Sequence, residues 1–189
     1  MKGPDSFPNR PSICIHHHIA NHHDVLHSHN PRFRAASADG PIPNHAAAYI
    51  LVNWALAYQV FSSRITKRIH GLDHNAAPRE DVTKYGEAAV QSGKISRRAL
   101  GMIKRNEAAH ANSLEAFPLF VAGVLLAVHA GVPSETINGI GAWFTLSRIA
   151  FGVAYILIES EAGSFVRSAA WWSGNASCFT ALVLAAKRL

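Results

Sequence analysis

Along the chain, apolar positions gather into four blocks, separated by one long and two short polar connections. The first block covers residues 45–62. Its core is Ala46 to Val52 followed by Trp54 to Phe61, with Asn53 and Gln59 inside it. This is near the lower limit of ~17 residues for crossing a bilayer, so the block taken alone also fits a buried helix of a soluble protein. The second, third and fourth blocks cover residues 108–130, 137–158 and 165–186. Each reaches the ~20 residues that a membrane helix needs. Gly131-Val132-Pro133-Ser134 predicts a tight turn, with Ser134 or Glu135 capping the helix that follows. Residues 159–164 form the second short connection. Connections this short make the last three helices antiparallel neighbours. The pattern predicts an all-α, polytopic membrane protein built as a four-transmembrane-helix up-down bundle.

The long connection, residues 63–107, carries ten Lys and Arg residues and is interrupted by Gly71, Pro78, Gly86 and Gly93. It reads as a polar loop with a short helix around residues 95–105. Ahead of the first block, residues 1–44 hold Pro4, Pro8, Pro11, Pro31, Pro41 and Pro43 and a run of histidines from His16 to His29. No helical or strand period survives there, which predicts a disordered His-rich tail. These histidines can take up a divalent ion opportunistically, but they lack the defined ligand set and rigid frame of a structural site, and no metal is assigned. The domain organisation expected is thus a tail over 1–44 and a membrane domain over 45–188. The first apolar block begins too late for a secretory signal peptide and would serve as an uncleaved signal-anchor.

Composition supports this division. Apolar residues make up 49% of the chain and charged residues 16%, against about 25% charged in an ordinary soluble domain. The mean hydropathy of +0.06 is held down by the two polar regions. The net charge of +6 is concentrated in the long connection, where it fixes membrane orientation better than it suits nucleic acid. The positive-inside rule puts that connection in the cytosol. Both termini then face the lumen or the outside, although Lys187-Arg188 pulls weakly the other way. Cys14 and Cys178 are far apart and form no CxxC motif, so redox chemistry is not indicated.

Charges inside the apolar blocks are the candidates for chemistry. An ionisable group at the bilayer centre costs ~2.5–3.5 kcal/mol on insertion scales and usually faces a bundle interior or a cavity. Here the groups are Glu115, Arg148 and Arg167, with Arg105 just ahead of the second block. At 100° per residue Arg105 and Asn112 nearly superimpose and Glu115 lies about 60° away, so the three form a polar stripe with His110 almost opposite. Arg148 and Tyr155 share a face of the third helix. Arg167 and Ser168 fall in the first turn of the fourth. The topology brings all of these to the cytosolic half. Such a set suits a small anionic ligand at the bilayer interface, because Arg recognises carboxylates in bidentate fashion. A cation beside a bound thiol also favours the thiolate. Two blander readings compete. Glu115 can pair with Arg105 or Arg148 simply to join helices, and Arg167 can snorkel to the interface. Trp171 and Trp172 read as packing or interface anchors.

The run from Arg105 to Phe120, with Asn112, Glu115 and Pro118 inside it, resembles the signature of the membrane-associated proteins in eicosanoid and glutathione metabolism, the MAPEG family. Arg148 to Tyr155 is similar to that family's third helix and Val166-Arg167-Ser168 to the start of its fourth. Residues 75–79, ending in Pro78-Arg79, are similar to a loop motif of its microbial and fungal members. The resemblance implies a homotrimer in the lipid bilayer with glutathione bound between adjacent subunits. It implies that Asn112, Glu115 and Tyr155 contact glutathione and that Arg167 stabilises the thiolate with Ser168 beside it. Arg105 and Arg148 would support the site or touch the ligand's carboxylates. The activity implied is glutathione transfer to a lipophilic electrophile, or reduction of a lipid hydroperoxide. A non-catalytic lipid-binding or scaffold role on the same fold is the alternative. A channel or transporter is less supported, since there are no inverted repeats and no broken helix pair. The chain departs from the well-studied synthases at Ala108, where they carry an arginine. It departs at Ala111 from the prostaglandin E synthase-like members, which carry another there. Phe151 stands for a Tyr or His, and Ala116 for a Tyr of some members. The expected location is the endoplasmic reticulum of a eukaryote or the inner membrane of a bacterium.

Overall fold

The computed structural model describes residues 42–189. The His-rich run and Cys14, expected to belong to a disordered tail, lie outside the described residues. The described residues are helical, with no strand among them. The helices are α1 (Ala46–Ala55), α2 (Ser63–Ile69), α3 (Asp81–Gln91), α4 (Arg97–His129), α5 (Ser134–Leu157) and α6 (Glu161–Ala186), and a π-helical turn, Leu56–Val60, prolongs α1. The segment just before α1 is tied to α5. Asn138 of α5 accepts from the backbone N–H of His45 at 2.9 Å and donates to the carbonyl of Pro43 at 2.9 Å.

α4, α5 and α6 pack on one another, and α1 lies against α4 and α5. Their shared core is built from Phe120, Val124, Ile137, Phe144, Cys178 and Ala181. The rings of Phe120 and Phe144 stack at 4.1 Å between centroids. Glycines let α1 approach α5: a Cβ on Gly141 would stand 2.5 Å from the ring of Tyr49, and one on Gly152 would stand 2.3 Å from that of Phe61.

Polarity is inverted relative to a water-soluble bundle. Asn53, Ser113, Ser147, Arg148 and Asn175 are buried, whereas Leu146, Val153, Leu157, Trp172, Phe179 and Val183 are exposed. An outward apolar surface with polar groups inside is the arrangement a hydrocarbon solvent favours. α4 (33 residues) and α5 (24 residues) are long and apolar enough to cross a membrane. At 1.5 Å per residue α5 reaches ~36 Å, more than the ~30 Å hydrocarbon layer.

The structure alters the expected elements in four places. The short helix around residues 95–105 and the second apolar block are a single helix. Ser96 caps α4 by accepting from the N–H of Ala99 at 3.1 Å, and Pro118 does not interrupt it. α5 has Pro133 at its N-cap, so Ser134 is its first helical residue rather than a cap. α6 starts at Glu161, where Ser160 accepts from the N–H of Gly163 at 3.2 Å. Arg167 therefore stands in the second turn of α6, deeper than the sequence pattern placed it.

The polar connection also holds α2 and α3 and a core of its own. Leu72, Val82, Ala89, Ile95, Leu100 and Ile103 are buried together. Gly71 (φ 66°) and Gly93 (φ 74°) take the left-handed backbone just beyond α2 and α3, the usual glycine signal that ends a helix. Outside that core the charges pair with one another. Asp73 accepts from Arg68 at 2.8 Å and from Arg64 at 3.2 Å, and these bonds hold its carboxyl below the usual range. Arg97 and then Lys104 do the same for Glu87.

Candidate functional site

Two recesses on different faces of the helices hold most of the expected site residues, and Arg105 and Arg148 line neither. The first, about 320 Å³, is lined by Asn112 of α4, Phe151 and Tyr155 of α5, and Ser164, Arg167, Ser168, Trp171 and Trp172 of α6. The guanidinium of Arg167 lies over the ring of Tyr155, 4.6 Å from its centroid. Tyr155 meets Phe151 edge-on at 5.3 Å, and Arg148 covers Phe151 at 4.3 Å. Arg148 is buried and donates through Nη2 to Asn112 Oδ1 at 3.0 Å and Ser113 Oγ at 3.2 Å. Arg167 makes no ion pair among the described residues. Its charge is spent on an aromatic face, which holds a cation in place without neutralising it. Ser168 is exposed, and its hydroxyl donates to the carbonyl of Ser164 at 3.4 Å.

The second recess, about 570 Å³, lies between the end of the π-turn, α2, the Pro78-Arg79 segment and α4. Its lining includes Arg64, Lys67, Arg79, Glu107, His110, Ala111 and Glu115. Glu115 is exposed there. Lys67 is 3% exposed and is held by Glu107 Oε1 at 2.9 Å, by the carbonyl of Pro78, and by Asp81 at 3.9 Å. Asp81, with no exposed side-chain surface, accepts from the backbone N–H of His74 and contacts the His74 ring Nδ1 at 3.1 Å. Asn106 donates to the carbonyl of Phe61 at 3.1 Å and accepts from Thr66 at 2.7 Å. These bonds fix the Pro78-Arg79 segment and α2 against α4, and so set the shape of the recess.

The polar stripe on α4 is thus divided three ways within one subunit. Arg105 turns to the end of α5, donating to the carbonyl of Ile156 at 3.2 Å and to Glu159 at 2.9 Å. Asn112 joins the α6 recess. Glu115 looks into the α2 recess with His110. The rotation of about 60° between Asn112 and Glu115 on the helical wheel spans the boundary between the two faces. The structure therefore gathers Asn112, Arg148, Tyr155, Arg167 and Ser168, and leaves Glu115 and Arg105 apart from them. Glu115 pairs with neither Arg105 nor Arg148. Lys67, Arg79 and Asp81 were not singled out as site residues from sequence. The Pro78-Arg79 pair was the available signal, but a buried lysine in a stretch of ten cations has no mark of its own.

A model of the MAPEG family matches residues 43–187, which takes in every helix and both recesses. No curated protein and no solved structure matches the chain. With most of the sequence matched, and with α4 and α5 able to cross a bilayer, the chain belongs to the MAPEG family and is a membrane protein of that glutathione- and eicosanoid-related group.

Proposed function

We propose that this protein is an integral membrane, glutathione-dependent enzyme of transferase or peroxidase type, acting on a lipophilic electrophile or a lipid hydroperoxide. The observation that carries the reading is the Arg167 guanidinium, held over Tyr155 with Asn112 and Ser168 around it and no carboxylate to neutralise it. Glutathione presents two carboxylates, an ammonium, amides and a thiol, and the residues at hand suit these groups. Arg167 faces the thiol and stabilises its thiolate by charge. Tyr155 offers a hydroxyl donor to the sulfur, and Ser168 another once its hydroxyl turns from the Ser164 carbonyl. Asn112, oriented by Arg148, offers an amide, and Glu115 an acceptor for the ammonium. In transfer, the thiolate forms a carbon–sulfur bond as the electrophile loses its leaving group. In reduction, two thiols give a disulfide while the hydroperoxide becomes an alcohol and water.

In this reading α1 with its π-turn, α4, α5 and α6 are the four spans of an up-down bundle. The α2–α3 segment lies on the cytosolic side, in the endoplasmic reticulum or a bacterial inner membrane. The protein is a homotrimer with glutathione between adjacent subunits. The division of the site residues supports this: Glu115 and Arg79 line one face and Arg167 and Ser168 another. A site needing both is completed by a second copy of the chain. Arg167→Ala is expected to lower glutathione-dependent turnover of a lipophilic aryl halide or hydroperoxide by at least about a hundredfold, the scale of losing one charge-stabilising donor. Full turnover in that variant would show that Arg167 is not catalytic.

A non-catalytic lipid-binding or scaffold protein is the second reading. Ala108 of α4 stands where, by the family resemblance, the well-studied synthases carry an arginine that binds the glutathione backbone, so one cation that would grip the ligand is missing.

A further inference from the structure

A further small cavity, of about 10 Å³, lies where α1 and its π-turn meet α4 and α5, with Asn53, Leu56, Ala57, Ser113, Phe144 and Arg148 in its wall. That is close to the volume of one water-sized sphere, the least that can hold a water molecule. Asn53 is 3% exposed, and its Oδ1 has no hydrogen-bond partner among the described residues. Its amide cannot be turned to remove the problem. Nδ2 donates to the carbonyl of Tyr49 at 2.9 Å and to Thr145 Oγ1 at 2.7 Å. The Thr145 hydroxyl gives its proton to the carbonyl of Gly141 at 2.7 Å, so it accepts from Asn53 and cannot donate to it. With the amide reversed, Oδ1 would face a carbonyl and a hydroxyl oxygen whose proton is committed elsewhere. The unpartnered acceptor is therefore fixed in place. A buried acceptor left unbonded costs ~1–3 kcal/mol.

The same cavity wall holds a surplus of donors. Arg148, 4% exposed, has five N–H groups. Its recorded bonds, to Asn112 and Ser113, both come from Nη2, and it makes no ion pair among the described residues. Ser113 has no proton to offer Asn53, since its hydroxyl donates to the carbonyl of Ala109 at 2.8 Å. A π-helical turn borders the cavity at Leu56 and Ala57, and such turns recur beside functional sites.

We propose that this cavity is the seat of one internal water molecule. It donates to Asn53 Oδ1 and accepts from the Arg148 guanidinium. The water joins α1 to Arg148, and through Arg148 to Asn112 in the wall of the α6 recess, so a polar path crosses the bundle from the first helix to the candidate site. The path does not depend on what the recess binds.

A high-resolution structure of the full chain in lipid nanodiscs tests it directly. The expected result is one solvent peak at about 2.8 Å from Asn53 Oδ1 and in reach of Arg148. A dry cavity, or one filled by a side chain, overturns the proposal. Asn53→Leu gives a second reading, because leucine nearly conserves volume and removes the acceptor. Its thermal midpoint is expected to fall by several degrees, and by clearly less in an Arg148→Met background, where the water has lost its donor. An equal fall in both backgrounds would mean that Asn53 acts through its Nδ2 bonds alone, and a rise in the first would mean that no water satisfies its Oδ1; either overturns the proposal. Should the Arg148→Met chain fail to fold, the solvent peak in the unaltered chain decides.

Discussion

The segment from α2 to the start of α4 and the bundle made by the rest of α4 with α5 and α6 solve the same problem in opposite directions. In the first, Leu72, Val82, Leu100 and Ile103 are buried and Arg64, Arg68, Glu87 and Arg97 are outside. In the second, Leu146, Val153 and Val183 are outside and Ser113, Ser147 and Arg148 are inside. In the proposed topology water surrounds one and hydrocarbon the other, and α4 runs through both. The difference shows that burial has to be judged against the local solvent. A buried charge is costly in both places, yet each region handles it differently. Lys67 has Asp81 and Glu107 for neutralisation. Arg148 has amide and hydroxyl oxygens and an aromatic face. The full ion-pair set locks a segment in place, whereas Arg148 and Arg167 have no counterion among the described residues: Arg148 is buried against Asn112 and Ser113, and Arg167 lines the α6 recess.

The largest expected effect comes from opening the buried pair in the polar segment. Asp81→Ala leaves Lys67 without its buried partner and His74 without its anchor, and losing one member of such a pair costs ~3–5 kcal/mol. Proteolysis confined to residues 63–95, with α5 and α6 intact, would mark the segment as a separate cooperative unit. Unchanged protection would mean that Glu107 alone satisfies Lys67. Next in size is a contrast between two exposed apolar residues. Leu146→Lys on α5 is expected to cost ~2.5–3.5 kcal/mol, because its surroundings are lipid. Ile69→Lys at the end of α2 is expected to change stability by within ~0.5 kcal/mol, because its surroundings are water. Folded yield in nanodiscs measures both, and equal costs would remove the division into two solvents.

These contrasts also explain what was legible in the sequence. The long helices were readable because apolar blocks and short turns leave few alternatives. Their starts were not, since Ser96 and Ser160 extend α4 and α6 into polar sequence by capping. α2 and α3 were read as loop because Gly71 and Gly93 look like breakers, while the structure uses them to end helices. For the candidate site, helical spacing singled out Asn112, Arg148, Tyr155, Arg167 and Ser168, which the structure brings together. It grouped Glu115 with them because a helical wheel gives an angle but not the neighbour that fills it. Asn53 passed as an incidental polar residue in an apolar block, since only packing shows that its Oδ1 has no partner.

The smallest expected effect is a pH dependence of the polar segment. Asp73 and Glu87 have folded-state pKa values below their unfolded ones, lowered by hydrogen bonds from Arg68 and Arg97 respectively. Their contribution is present above the unfolded carboxylate range and is lost as pH falls below about 4, where protonation removes the pairing. Both groups are exposed, so the loss should show as faster amide exchange around α2 and α3 rather than as global unfolding. Exchange that is flat from neutral pH to about 3, after correction for intrinsic rates, would mean that the pairs do nothing for the segment.

The central claim is that Arg167 holds the thiolate of glutathione. A thermal-shift titration of the purified protein with glutathione, unaltered chain against Arg167→Ala, tests it most directly. The account predicts a saturable rise in midpoint for the unaltered chain that is greatly reduced in the variant. No rise for either chain at millimolar glutathione would contradict glutathione binding, and an equal rise for both would contradict the role given to Arg167.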